Sequence, residues 1–248
     1  LSSVLWFEEE NNEGDELGPD KIEEISFSNV SFQYTENVPV LDDINVKLKR
    51  GEIIGFIGGS GCGKSSLVKM LLRLYTPYKG TIWIDDEKIQ DIAIDSLRNR
   101  IAFVAQDSLF FKGSILDNLK MGKALNNAKL IEYSKLLDLY DEIVRLPQKW
   151  DTELNAGTSN LSGGQKKRLD VLRALLKESD VIIFDESTAS IDIERRKRLF
   201  EILSKIKHDK IIIFITHNIE ECAYCDQIYS VKNRKVQPIE FSNLAEAY

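Results

Sequence analysis

Residues 53–75 read IIGFIGGSGCGKSSLVKMLLRLY. A short apolar run ends at Gly58, Gly59, Gly61 and Gly63, and Lys64, Ser65 and Ser66 follow before a helical pattern begins. The stretch 58–65 is a full G-x-x-x-x-G-K-[ST] match. Glycines open backbone conformations closed to other residues, so successive N–H groups can turn inward onto phosphate oxygens. The helix that follows offers its positive N-terminal end to the same anion. Lys64 brings a point charge to the β and γ phosphates, and Ser65 brings a hydroxyl to Mg²⁺. Gly58, Gly59, Ser60, Gly61, Cys62, Gly63, Lys64, Ser65 and Ser66 are therefore expected to surround the phosphates of a nucleotide, with the Cys62 thiol and the Ser66 hydroxyl as bystanders within the loop.

Such a loop needs a carboxylate for the metal and a group that activates water. VIIFDE, residues 181–186, ends in Asp185 and Glu186. An acidic pair after a strand serves as readily as a helix cap, but with a phosphate loop upstream Asp185 becomes the candidate for Mg²⁺ and Glu186 the candidate base. VIIFDE and IIIFITH are nearly continuous apolar runs, as parallel strands covered on both faces require. ISFSNVSFQY (25–34) and residues 40–52 alternate instead, as half-exposed strands do. EIIGFIG, TIWIDD and IAFVAQ are further short strands, and QIYSVKNRKVQ has the pattern of a closing hairpin. Helical patterns fall at 64–74, 161–177 and 193–207. The expected fold is α/β: a P-loop NTPase core with a mostly parallel central sheet, an N-terminal antiparallel β subdomain and an inserted α-helical lobe. Residues 1–20 form an acidic linker, 21–106 the first part of the core, 107–165 the helical lobe without a strong strand, and 166–248 the second part of the core.

The formal net charge is −7 over 248 residues. Glu8, Glu9, Glu10, Glu13, Asp15, Glu16 and Asp20 account for all of it, so the remaining body is neutral. A neutral body without a basic stripe argues against nucleic acid as a partner. The leading segment reads as a solvated linker, and Leu1 in place of Met suggests a piece of a longer polypeptide. No apolar run reaches the about 18 residues a membrane span needs, and no signal peptide is evident. Cys62, Cys222 and Cys225 are an odd set in a large chain, which does not suggest a disulfide scaffold. CAYC at 222–225 has metal-ligand spacing without a second pair, so it reads as reduced thiols and no metal site is assigned to protein ligands alone.

Between the loop and the acidic pair lies NLSGGQKKRLDVLRALLK, where Ser162 is a plausible N-cap and Gly163 and Gly164 open a helix. LSGGQ upstream of a DE strand in a P-loop chain is highly specific, and from about residue 22 to 237 the chain resembles the nucleotide-binding domain of an ABC ATPase. The resemblance implies ATP and Mg²⁺ as ligands and assigns roles by position. Tyr34 would stack on adenine. Gln106 would contact Mg²⁺ and the water and couple to a transmembrane partner, while His217 would touch the γ-phosphate. Asp192 is similar to the D-loop aspartate. His208, the second histidine, is expected to be exposed and idle. Such domains act as head-to-tail pairs, so Ser162, Gly163, Gly164 and Gln165 of one copy, or of a paralogous domain, would meet the ATP bound at Lys64 of the other.

Three residues depart from the family's usual pattern: Ala189 stands where the D-loop usually has Ser, and Asp170 and Val171 stand where small residues are usual. Lys64, Asp185, Glu186 and His217 are all present, so a hydrolytically competent site is expected. The charged leader and QDSLFFKGSILDNL (106–119) resemble exporter domains fused behind a transmembrane domain. LNAGTSN (154–160), just before the signature, is somewhat more similar to peptide or bacteriocin exporters than to multidrug ones. The implied setting is the cytoplasmic face of a membrane. A soluble relative acting on nucleic acid or ribosomes is the alternative, but Lys64 and Ser162 are 98 positions apart, too close for a long coiled coil between them. A separate importer subunit is a further alternative, disfavoured by the missing Met and the acidic leader.

Overall fold

The computed structural model describes residues 12–154, 161–188 and 191–247. Strands β1 (Glu24–Thr35) and β2 (Val38–Lys49) form a long hairpin, and β3 (Ile53–Ile57) leads through the glycine loop into α1 (Lys64–Leu71). Next come β4 (Lys79–Ile84), β5 (Glu87–Lys88), α2 (Ile94–Asn99) and β6 (Ile101–Val104). The lobe contains β7 (Gly113–Ser114), α3 (Ile115–Lys120), α4 (Asn127–Leu136), α5 (Tyr140–Val144) and β8 (Glu153–Leu154). The chain closes with α6 (Gly163–Leu176), β9 (Val181–Asp185), α7 (Ile193–Ile206), β10 (Ile211–Ile215), α8 (Ile219–Cys222), β11 (Gln227–Lys232) and β12 (Lys235–Pro238).

Six strands form the central sheet in the order β12-β11-β3-β10-β9-β6, parallel except for the antiparallel edge strand β12. Side chains alternate across a strand, and here each face meets its own core. Ile54, Val181, Ile183, Ile211 and Ile213 point into one cluster, which also holds α1 and the β1–β2 hairpin. Ile53, Ile182, Phe184, Ile212 and Phe214 point into the other, with α6, α7 and the lobe. Phe184 and Phe214 stack there at 4.5 Å. Burial on both faces is why these strands show no alternation in sequence. The second sheet, β2-β1-β4-β5, is antiparallel, and TIWIDD joins it as β4.

The lobe, expected without a strong strand, holds a two-residue antiparallel ladder of β7 with β8. One expectation needs correction. The acidic leader, expected as a solvated linker, keeps exposed charges from Asn12 onward, but its backbone is tied down. Asp15 and Ile92 bridge, the Leu17 amide donates to Ser96 Oγ at 3.0 Å, and Arg100 donates to the Gly18 carbonyl at 2.8 Å.

Candidate active site

Four segments leave the carboxyl ends of neighbouring parallel strands: the glycine loop after β3, His217 after β10, Asp185–Glu186 at the end of β9, and Gln106 after β6. This is where open α/β sheets bind ligands. The loop tip, residues 59–61, is exposed, while Gly63, Lys64 and Ser66 are buried. Gly58 lies so near β11 that a Cβ would stand 2.3 Å from the Val231 carbonyl oxygen. Gly63 has φ 109° and caps α1 with no side-chain hydrogen bond, and the first turn carries no acid. The helix end therefore offers its amides and dipole to an anion without competition from its own chain.

Lys64 is 4% exposed and donates to the Gly58 and Gly59 carbonyls at 2.9 Å. Its ammonium also lies 3.8 Å from Glu186 Oε1. His217 Nδ1 approaches that same oxygen at 3.8 Å from a side chain 60% exposed. Glu186 holds φ 46°, in the left-handed region, and its amide donates to the Ile215 carbonyl at 2.8 Å. A non-glycine residue there costs about 1 kcal/mol or more, a strain that clusters at functional sites. Ser65 Oγ donates to Asp185 Oδ1 at 3.1 Å. Burial pushes the Asp185 carboxyl above its usual range; the Ser65 hydrogen bond opposes this and the Glu186 charge adds to it.

Tyr34 is 46% exposed. Its hydroxyl shares a hydrogen bond of 2.9 Å with Ser66 Oγ, so Ser66, expected as a bystander, fixes Tyr34 to α1. Tyr75 packs edge-on against Tyr34 at 5.0 Å, and Lys69 Nζ lies 5.3 Å from the Tyr34 ring centre. Neither stood out in the sequence, although Lys69 falls in α1 and Tyr75 shortly after it. Cys62 Sγ lies 3.8 Å from Lys64 Nζ.

At α6, Ser162 and Gln165 form a reciprocal capping box, and Gln165 Nε2 donates to Glu142 at 2.9 Å. Ser162 and Gly163 are exposed at the helix tip. Arg168 forks onto Glu142 at 2.8 and 3.0 Å. Gln106 is exposed, and its carbonyl accepts a hydrogen bond from Lys167 Nζ at 2.8 Å. Lys167 is buried, and burial lowers its pKa against the opposing charges of Asp170, Asp107 and Asp185. Asp170, one of the departures, is also buried and pairs with Arg173. Asp192 caps α7, accepting from the Arg195 amide at 3.1 Å. Ala189 and residues 155–160 of LNAGTSN lie outside the described residues. His208 is exposed beside Asp209. Cys222 and Cys225 are free thiols, and burial pushes both upward, Cys222 to about 12, which suits packing rather than reactivity.

The donor set fits a nucleotide with a hard cation. Ser65 and Asp185 supply oxygen atoms of the kind Mg²⁺ takes, beside an uncapped helix end and a lysine. Among the described residues no group of three His, Cys, Asp or Glu side chains could hold a metal, so phosphate oxygens would complete the coordination.

The family model described as ABC transporter matches residues 41–189. The lactococcin-G-processing and transport ATP-binding protein LagD of Lactococcus lactis is 40% identical over 207 residues, which are 83% of this chain and 29% of that protein. A putative multidrug export ATP-binding/permease protein of Staphylococcus aureus is 35% identical over 84% of this chain and 36% of its own length. Among solved structures, a bacterial Atm1-family ABC exporter with ATP bound superposes with a TM-score of 0.84 at 28% identity, over 94% of this chain and 42% of that one. This chain belongs to the ABC transporter family. It spans about a third of the length of the two relatives. No helix among the described residues is long and apolar enough to cross a membrane.

Proposed function

We propose that this chain is the motor of a membrane exporter, in which two copies, or this chain and a paralogue, close head-to-tail around two Mg·ATP and so drive attached transmembrane domains. The observation that carries this reading is the meeting of Lys64 and His217 at Glu186 Oε1, each at 3.8 Å, from the ends of adjacent parallel strands. Tyr34 holds the adenine, and the amides of residues 58–66 with Lys64 hold the phosphates. Ser65, Gln106 and Asp185 would hold Mg²⁺, which would supply positive charge to the phosphate oxygens. Glu186 takes a proton from the attacking water as its oxygen bonds to the γ-phosphorus in line with the departing ADP. Lys64 and His217 stabilise the charge that develops on the phosphoryl oxygens. Ser162, Gly163, Gly164, Gln165 and Asp192 act across the pair.

Support for a transmembrane partner comes from a groove of about 1110 Å³ near Leu74, Leu109, Phe111 and Met121, all exposed apolar side chains or groove-lining ones, with Lys120 and Lys123 on its rim. It is the place where helices of a transmembrane domain would dock, on the cytoplasmic face. Peptide is the cargo favoured by the relative named for lactococcin G. The test is the solution mass of Glu186→Gln at micromolar protein, with and without Mg·ATP. An ATP-dependent doubling supports the sandwich. A monomer with ATP demonstrably bound removes the signature residues from the site of the isolated chain.

A further inference from the structure

Behind Glu186 and His217 lies a second polar cluster that the hydrolytic scheme does not use. Both residues line a cavity of about 460 Å³ whose other walls include Thr188, Arg196 and Glu221. Glu221 is 1% exposed. Its Oε1 accepts from the Thr188 hydroxyl and lies 3.5 Å from Arg196 Nη1. Arg196 Nη2 in turn donates to the Ile191 carbonyl at 3.4 Å. Thr188 and Ile191 flank positions 189–190 on either side. One carboxylate on α8 therefore holds Thr188 directly and Ile191 through Arg196 of α7. Glu221 stands four residues beyond His217, and Arg196 four beyond Asp192.

Among the described residues Glu221 Oε2 and Arg196 Nη1 are buried without a hydrogen-bond partner. A buried pair satisfied this incompletely is a poor source of stability, since the desolvation of both ions offsets their attraction. Its attested use is to specify one arrangement over another. We propose that Glu221 and Arg196 are a positioning pair that locks the helix after His217 to Thr188, beside Glu186, and to Ile191, beside Asp192, so that these shift together during turnover. Neither residue touches the reacting atoms. The proposal rests on the hydrolytic roles given above to Glu186 and His217.

A double-mutant cycle in the 248-residue chain tests it. Glu221→Gln keeps an acceptor for Thr188 and removes the nearer, buried charge facing Arg196, leaving the exposed Glu220 carboxylate at 3.9 Å; Arg196→Gln removes the other charge. Each single change is expected to lower kcat roughly tenfold with the KM for ATP held within about twofold, since displacement of a catalytic group acts on the transition state. The double variant should lose no more than either single one, because coupled residues are not additive. Without nucleotide, amide exchange should quicken at both 191–196 and 216–222 in each variant. If Glu221→Gln does not fold, Thr188→Val takes its place in the cycle with the same expectations. Wild-type kcat in the folded single variants, a hundredfold additive loss in the double, or faster exchange at only one segment would each overturn the pairing. Glu186→Gln, run alongside, separates the two readings. If it stops turnover while the cycle is flat, the pair alone fails. If it turns over normally, the assigned base fails, and exchange alone decides the pair.

Discussion

The Ser65 hydroxyl donates to the Asp185 carboxylate at 3.1 Å, across 120 residues of chain. This bond joins the start of α1 to the end of β9 and sets two hard oxygen donors side by side. Ser65→Ala leaves Asp185 and removes one of the two. The magnesium concentration for half-maximal ATP turnover is expected to rise about tenfold, the scale on which metal sites respond to a lost supporting group. Asp185→Asn should raise it further. An unchanged magnesium requirement in both would move the metal elsewhere.

The Tyr34 ring and the Tyr34 hydroxyl have different tasks. The ring faces the solvent edge of the site, while the hydroxyl is anchored to Ser66. Tyr34→Ala is expected to weaken ATP binding about tenfold, at the lower end of what stacking on a base contributes. Tyr34→Phe should stay within about threefold. Fluorescence titration of the nucleotide distinguishes them, and equal losses in both would place the adenine away from this ring.

Two glycines of one motif separate packing from phosphate binding. A Cβ at Gly58 would lie 2.3 Å from the backbone of β11, whereas at Gly59 it would meet nothing within 4 Å. Gly58→Ala is expected to cost about 2 kcal/mol or more in urea unfolding, in the range for overpacked sites. Gly59→Ala should remain within about 0.5 kcal/mol, as surface changes do. A stable Gly58→Ala protein would contradict the close approach.

Lys177 reaches under the groove to donate to the Arg98 and Ile101 carbonyls. Burial lowers its pKa to about 8. Between about pH 8 and the ordinary lysine value near 10.4, the unfolded chain binds this proton and the folded chain does not. Lys177 therefore makes stability rise with pH over that window, and its burial penalty is fully present below it. Urea midpoints at pH 7.5 and 9.5 should show a smaller rise with pH in Lys177→Met than in the wild type. Equal pH dependence would show that the ammonium is solvated.

The parts of the fold that sequence reading captures are those written in residue type. β3, β9 and β10 are apolar without alternation because each side chain enters one of two cores, and the sequence carries that directly. Lys64, Ser65, Asp185, Glu186 and His217 stand at strand ends that the apolar runs mark, and the structure brings Lys64, Glu186 and His217 together. The β7–β8 ladder escaped because two-residue strands have no period. The docking of residues 12–20 escaped because it depends on backbone groups, which every residue has. Ser66 looked idle because its partner, Tyr34, lies 32 positions away on another sheet. Glu221 and Arg196 gave no signal for a related reason: charged residues on amphipathic helices usually face water, and only the fold shows that these two turn inward.

The strap formed by residues 12–20 has a mechanical consequence. Asn12 and Asp95 exchange two hydrogen bonds, Asp15 bonds in register with Asp91 and Ala93, and Arg100 closes the far end on Gly18. Tension applied to the chain at Asn12 is therefore borne first by α2 and its flanks, as shear across several parallel bonds, before any reaches β1. Arg98, Asn99 and Arg100 at the end of α2 also line the groove. A pull on the leader and a push in the groove thus load the same lever.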